Sequence, residues 1–223
     1  MKKIIVLLSL CVAAKAWGCE LPASKIVDYE PSYKSAILEI AFQNPEQFFP
    51  GYAAIKQNPL VGAQFEEMTR KEMETGLDDA LRIKKVLMHG NNIAGFVVFY
   101  KTKETSLELI KRQTESRGFP FNEEQVLAYM PHLKRTDAEC EPFIKLESLA
   151  ISKEFRGKGY GRILLRKAIE YIKELWPTIK RIQLDVNTSN EVARKLYESE
   201  GFVVCLDQPM ARAGILHYQT IIQ

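Results

Sequence analysis

The chain lacks the spacings that zinc sites and P-loops are built from. Its four cysteines, Cys11, Cys19, Cys140 and Cys205, are scattered over 223 residues with no pair at metal-ligand spacing. A zinc knuckle or ribbon is therefore excluded, and no metal is expected. No Gly-x-x-x-x-Gly-Lys-Ser/Thr loop occurs, which excludes a P-loop nucleotide hydrolase. There is no internal repeat and no low-complexity tract. An excess of one charge is also missing: 31 Lys and Arg face 28 Asp and Glu. Lys2, Lys3 and Lys15 account for the difference, so the rest of the chain is formally neutral. Strong nonspecific attraction to nucleic acid is not indicated.

Long hydrophobic runs are absent as well. The uncharged stretch Ile4–Ala14 is 11 residues, too short to cross a bilayer as a helix. It follows Lys2 and Lys3 and precedes Ala14-Lys15-Ala16. A basic start, a short apolar run and a small-residue site read as a secretory signal peptide. With Gly18 ahead of Cys19, a lipoprotein signal over 1–19 is the variant reading. A buried N-terminal strand or helix is the structural alternative. A leader places the protein outside the cytoplasm (periplasmic, secreted or lipid-anchored); without one it is cytoplasmic. Residues 25–223 are enough for one domain with its own core.

What is present centres on Arg156-Gly157-Lys158-Gly159-Tyr160-Gly161. An apolar run, Phe143–Ile151, leads into it, and a helical run, 162–176, leads out. Strand, glycine turn and helix form a cradle for a pyrophosphate. Glycine lets backbone approach a ligand, orphan helix-start amides point outward, and the helix dipole favours an anion there. Arg156 and Lys158 add positive charge. The dinucleotide spacing Gly-x-Gly-x-x-Gly is absent. Only 62 residues follow Gly161, too few for a full dinucleotide-binding sheet.

Along the chain, 25–29 reads as a strand, and a helix from Pro31 carries Ala36, Ile37, Ile40 and Ala41. The aromatic stretch Phe48–Tyr52 follows. An amphipathic segment over 64–74 carries Phe65, Met68 and Met73, with Gly76 as its stop. A hairpin runs through 82–101 around Gly90-Asn91-Asn92, and its second strand, Ile93–Phe99, is apolar enough to be central. Residues 104–142 hold two helical stretches, eight acids and five bases. They form an insertion that is either an ordinary surface excursion or a lid. Simple alternation puts Lys145, Glu147 and Leu149 on one face of the 143–151 strand. After 162–176 come a strand at 181–186, a helix capped by Thr188-x-x-Glu191 with Val192, Ala193 and Leu196 buried, and strands at 202–206 and 214–222.

Two stretches carry a family resemblance. Arg156-x-x-Gly159-x-Gly161 resembles the acetyl-CoA signature of the GNAT superfamily of N-acetyltransferases. Leu184-Asp-Val-Asn187-x-x-Asn190-x-x-Ala193-x-x-x-Tyr197-x-x-x-Gly201-Phe202 resembles that family's second signature. The order β-α-α-β-β-(insertion)-β-α-β-α-β-β is similar to the family's. The resemblance implies an α/β (α+β) GNAT fold with a mixed central sheet flanked by helices. It also implies acetyl-CoA as co-substrate and an amine acceptor, small molecule or protein, in a monomer or homodimer. By position, it assigns Leu149, Ala150 and Ile151 to the pantetheine and acetyl oxygen. Arg156, Gly157, Lys158, Gly159, Tyr160, Gly161 and Arg162 fall to the pyrophosphate, and Asn190 to the pantetheine arm. Tyr197 takes the place of the family's proton-donating tyrosine. Glu147 and then Asp185 are the candidate bases, and Lys145 stands where some relatives carry a basic glutamate. The alternative is an exported CoA-binding or interaction domain without turnover.

Overall fold

A computed structural model describes residues 24–45, 55–58, 61–103, 106–116, 118, 120–129, 133, 136, 140–205 and 214–222. The expected leader over 1–19 and the aromatic stretch at 48–52 lie outside these.

The described elements begin with β1 (Ser24–Asp28), a 3-10 turn (Pro31–Tyr33), α1 (Lys34–Phe42) and α2 (Gly62–Asp78). β2 (Ile83–His89), β3 (Asn92–Lys103), α3 (Leu107–Ser116) and α4 (Glu123–Tyr129) follow. Then come β4 (Pro142–Ile151), α5 (Tyr160–Leu175), β5 (Arg181–Asn187), α6 (Glu191–Ser199), β6 (Val203–Val204) and β7 (Ile215–Ile221). Seven strands make one sheet in the order β1-β2-β3-β4-β5-β7-β6. Every pairing is antiparallel except β4 with β5. Among the described residues of the 104–142 segment lie α3 and α4.

Helices cover both faces. α5 presents Leu164, Leu165, Ala168 and Ile172, which pack with Val97, Phe99, Ile144, Leu146, Leu149, Ile182 and Leu184. Ala193, Leu196 and Tyr197 of α6 join that core. α1 presents Ile37, Leu38, Ile40 and Ala41 to the opposite face, where Leu77 of α2 meets Val86, Phe96, Val98 and Ala150. Leu164 and Leu165 are fully buried, each contributing about 1.5–3 kcal/mol of apolar transfer.

Four local expectations change. α2 runs through Gly76 to Asp78, because Leu77 is 4% exposed and anchors its last turn to the core. Met68 on the same helix faces solvent. α6 starts at Glu191 and is capped by Asn190, whose Oδ1 accepts from Ala193 N at 3.2 Å, rather than by Thr188. Thr188 N instead donates to Gly214 O in the approach to β7. The later start turns Val192 outward, 83% exposed.

The fourth change shapes the site. Val98 pairs with Ser148 and Phe99 with Leu146, leaving Glu147 as the extra residue of a bulge in β4. A bulge resets the side-chain alternation. Leu146 and Leu149 therefore share the α5 core, and Ala150 faces the α1 core. Beside it, Gly95 of β3 leaves no room for a side chain: a Cβ there would stand 2.5 Å from Ala150 O.

Candidate active site

The glycine turn lies between β4 and α5. Gly157 and Gly159 adopt φ of 75° and 85°, a left-handed conformation that costs other residues energy. A Cβ on either would meet no protein atom within 4 Å, so the space above the turn is open. The first bonds of α5 run from Arg162 N and Ile163 N to Gly159 O. The amides ahead of them are the orphan donors of a helix start. Gly159 also caps α5 without a side-chain hydrogen bond.

Side chains around the turn have fixed tasks. Tyr160 is 3% exposed and points inward. Its hydroxyl meets His89 Nδ1 at 2.7 Å, and Phe155 packs edge-on against it at 5.4 Å. Only its backbone faces the cradle. Arg156 Nε donates to Ile151 O at 2.8 Å, bracing the end of β4. Arg162 pairs with Glu200 at 2.9 Å and donates to Ser199 Oγ at 3.1 Å, clamping α5 to α6. The cradle's anion affinity thus rests on amides and Lys158 more than on the arginines.

β4 and β5 part immediately upstream. Their last pair is Leu146 with Leu184, and β4 continues to Ile151 without pairing to β5. The wedge between them is a cleft lined by Leu146, Glu147, Ser148, Leu149, Asp185, Val186, Asn190, Ala193 and Tyr197. Asn190 spends its carbonyl oxygen on the α6 cap, so its amide nitrogen is the group that can donate into the cleft. Tyr197 is 5% exposed, packed against Phe202 and Tyr218 with ring centroids 5.7 and 6.4 Å away. Burial pushes its phenol well above the ordinary tyrosine value. It therefore remains a protonated hydroxyl at neutral pH, the form that can give a proton.

The face of β4, β5 and β7 opposite α5 carries charge. Ile144, Leu146, Leu184, Val186 and Tyr218 point into the α5 core, so Lys145, Asp185 and His217 project the other way. Asp185 Oδ2 accepts from Lys145 Nζ at 2.7 Å, and Asp185 Oδ1 meets His217 Nδ1 at 2.5 Å. Burial alone would raise the Asp185 pKa, but the bonds from His217 and Lys145 outweigh it and hold the carboxyl below its usual value. His217 is 6% exposed, and its Nε2 is buried without a hydrogen-bond partner. Glu147, at the bulge, is forked by Arg82: Nε to Oε2 at 2.7 Å and Nη2 to Oε1 at 3.0 Å. Arg82 also pairs with Asp79. No group of three or more His, Cys, Asp or Glu among the described residues is arranged to hold a metal ion.

Of the residues singled out in the sequence, Glu147, Leu149, Asp185, Asn190 and Tyr197 line one cleft, while the glycine turn follows the end of β4 and leads into α5. Arg82 and His217 were missed by the sequence reading. His217 had one signal, the polar pair His217 and Gln219 alternating with Leu216 and Tyr218. Arg82 had none, because it meets Glu147 only through the fold.

The Acetyltransferase (GNAT) family model matches residues 59–202, more than half of the chain, and the protein belongs to that family. Among curated protein sequences none matches. The fold is similar to that of PaiA N-acetyltransferase from Thermoplasma acidophilum in complex with coenzyme A, at TM-score 0.56 and 14% identity over 89% of this chain and 99% of that one. It is also similar to the ribosomal-protein-S18-alanine N-acetyltransferase from Escherichia coli, at TM-score 0.51 and 15% identity over 90% of this chain and 94% of that one. YncA from Salmonella typhimurium with its cofactor acetyl-CoA aligns at TM-score 0.50 and 14% identity, over 90% and 94% of the two chains.

Proposed function

We propose that the protein is an acetyl-CoA-dependent N-acetyltransferase that passes an acetyl group to a primary amine by direct attack on the thioester. The observation that carries this is the parting of β4 and β5 beside an open glycine cradle, with Tyr197 on the wall of the wedge. An extended ligand arm entering the wedge would lie along Leu149, Ala150 and Ile151, adding to the strand edge that β5 vacates. Its pyrophosphate would meet the amides of 156–161 and Lys158, and Asn190 would donate to the arm. Acetyl-CoA has this shape and charge, and it supplies the activated acyl group.

The residues divide the remaining work. Tyr197, held neutral, gives its proton to the leaving sulfur. Backbone N–H groups of β4 beyond the bulge offer hydrogen bonds where charge builds on the carbonyl oxygen. Glu147 is the carboxylate that receives the acceptor's proton, once the incoming ammonium displaces Arg82. Asp185, pinned by two donors, is the weaker base and serves as an anionic anchor on the acceptor side.

The test is acetyl-CoA binding by calorimetry on the full chain, followed by an amine screen with thiol release as readout. Micromolar binding with release that depends on an amine, and that falls about a hundredfold or more in Tyr197→Phe, supports the proposal. Binding with no release for any amine supports a CoA-binding domain without turnover instead. No binding by folded protein overturns the reading. Export is the second part of the proposal and rests on the leader over residues 1–19. Fractionation of cells expressing the full chain tests it, and cytoplasmic retention with an intact N-terminus refutes it.

A further inference from the structure

Resting on that acetyltransferase reading, we propose that Lys145 is an internal acetyl acceptor, so that the protein acetylates itself at the floor of its acceptor site. Lys145 sits on β4 next to Leu146, the last residue paired to β5 before the strands part. Its side chain projects to the face away from the α5 core. There its Nζ lies 2.7 Å from Asp185 Oδ2, and Asp185 is a wall of the wedge. A primary amine is thus held against a wall of the cleft in which the proposed function lays the thioester. The side chain is 19% exposed, so bulk solvent reaches it far less readily than it reaches the surface lysines.

The step balances without any further reactant. The Lys145 ammonium gives one proton to the Asp185 carboxylate it already touches, and that proton passes to solvent. The neutral Nζ attacks the acetyl carbonyl carbon and the carbon–sulfur bond breaks. The thiolate takes the Tyr197 proton, which water restores, and the second amine proton leaves the new amide nitrogen. The products are Nζ-acetyl-lysine and free CoA thiol. Asp185 is a weak base here, held below its usual pKa by His217 and Lys145, so self-acetylation is slow beside turnover of a good external amine. Its consequence is electrostatic. An acetylated Lys145 carries no charge, and Asp185 loses that ion pair while keeping His217, so the floor of the acceptor site becomes more negative by one unit and more attractive to a cation.

The experiment uses the full chain with acetyl-CoA and no added amine. Peptide mass spectrometry follows acetylation of Lys145 against Lys195, whose side chain is 76% exposed. Calorimetry on the same sample reports acetyl-CoA binding. The expected result is acetyl on Lys145 at least roughly tenfold ahead of Lys195, because positioning rather than exposure drives the reaction. Lys145→Arg keeps the charge and should bind acetyl-CoA without gaining that acetyl. If acetyl-CoA binds and external amines are turned over while Lys145 stays unmodified, or is modified no faster than Lys195, the proposal is overturned and the acetyltransferase reading stands. If acetyl-CoA does not bind, both fall.

Discussion

Gly159 separates a backbone role from a ligand role, and Gly90 supplies the control. Both are left-handed, with φ of 85° and 59°, and a Cβ on either meets nothing within 4 Å. Replacing either with alanine therefore introduces backbone strain and no clash, about 1–2 kcal/mol in each case. For a chain of this size each kcal/mol lowers Tm by roughly 2–4 °C, so the two variants should melt alike. Their ligand behaviour should differ. Gly90 turns the β2–β3 hairpin, whereas the methyl of Gly159→Ala enters the open space above the helix start. There it holds an anion off the amides. Losing one or two charge-assisted hydrogen bonds costs about 2–4 kcal/mol, or roughly 30- to 700-fold in affinity. Thermal melts, and calorimetry with acetyl-CoA at fixed ionic strength, give both quantities. Equal melting with acetyl-CoA affinity unchanged in Gly159→Ala would refute the cradle.

Three further outcomes follow from the same geometry. Asp185→Asn should change the acid limb of stability: the folded carboxyl lies below the ordinary 3.8, so its contribution is complete above that value and is lost as pH falls through the folded value. The stability gap between wild type and variant, measured by denaturant titration, should be constant near neutrality and shrink below pH 3.8; a gap that widens in acid contradicts the assignment. Gly95→Ala places a Cβ 2.5 Å from Ala150 O and 2.6 Å from Ile151 Cδ1, an overpacking that should cost about 1–3 kcal/mol. It should weaken acetyl-CoA binding as well, and a variant as stable as wild type would show that β3 can move away freely. Glu147→Gln should lower kcat for an amine acceptor by about a hundredfold with little effect on acetyl-CoA affinity; an unchanged kcat would pass the proton-accepting role to water.

The amino-acid order alone determined a good deal. The glycine turn, the helix after it, the apolar strand Ile93–Phe99 and the pattern from Leu184 to Phe202 were legible because each depends on preferences within one segment. Local φ preference, apolar runs and helix periodicity are properties that a short stretch carries by itself; the close approach of Gly95 to Ala150 is not. The tertiary structure decided what depends on neighbours distant in the chain. The bulge at Glu147 exists because β3 and β4 slip by one residue between two cores, and no alternation within β4 encodes that slip. Asn190 caps α6, and the backbone at Thr188 is instead tied to Gly214 at the approach to β7. The charges of the acceptor face were set the same way. Glu147 and Asp185 were visible as carboxylates, but their partners Arg82 and His217 lie 65 and 32 residues away in sequence. An ion pair becomes readable only when the sheet places its two members side by side.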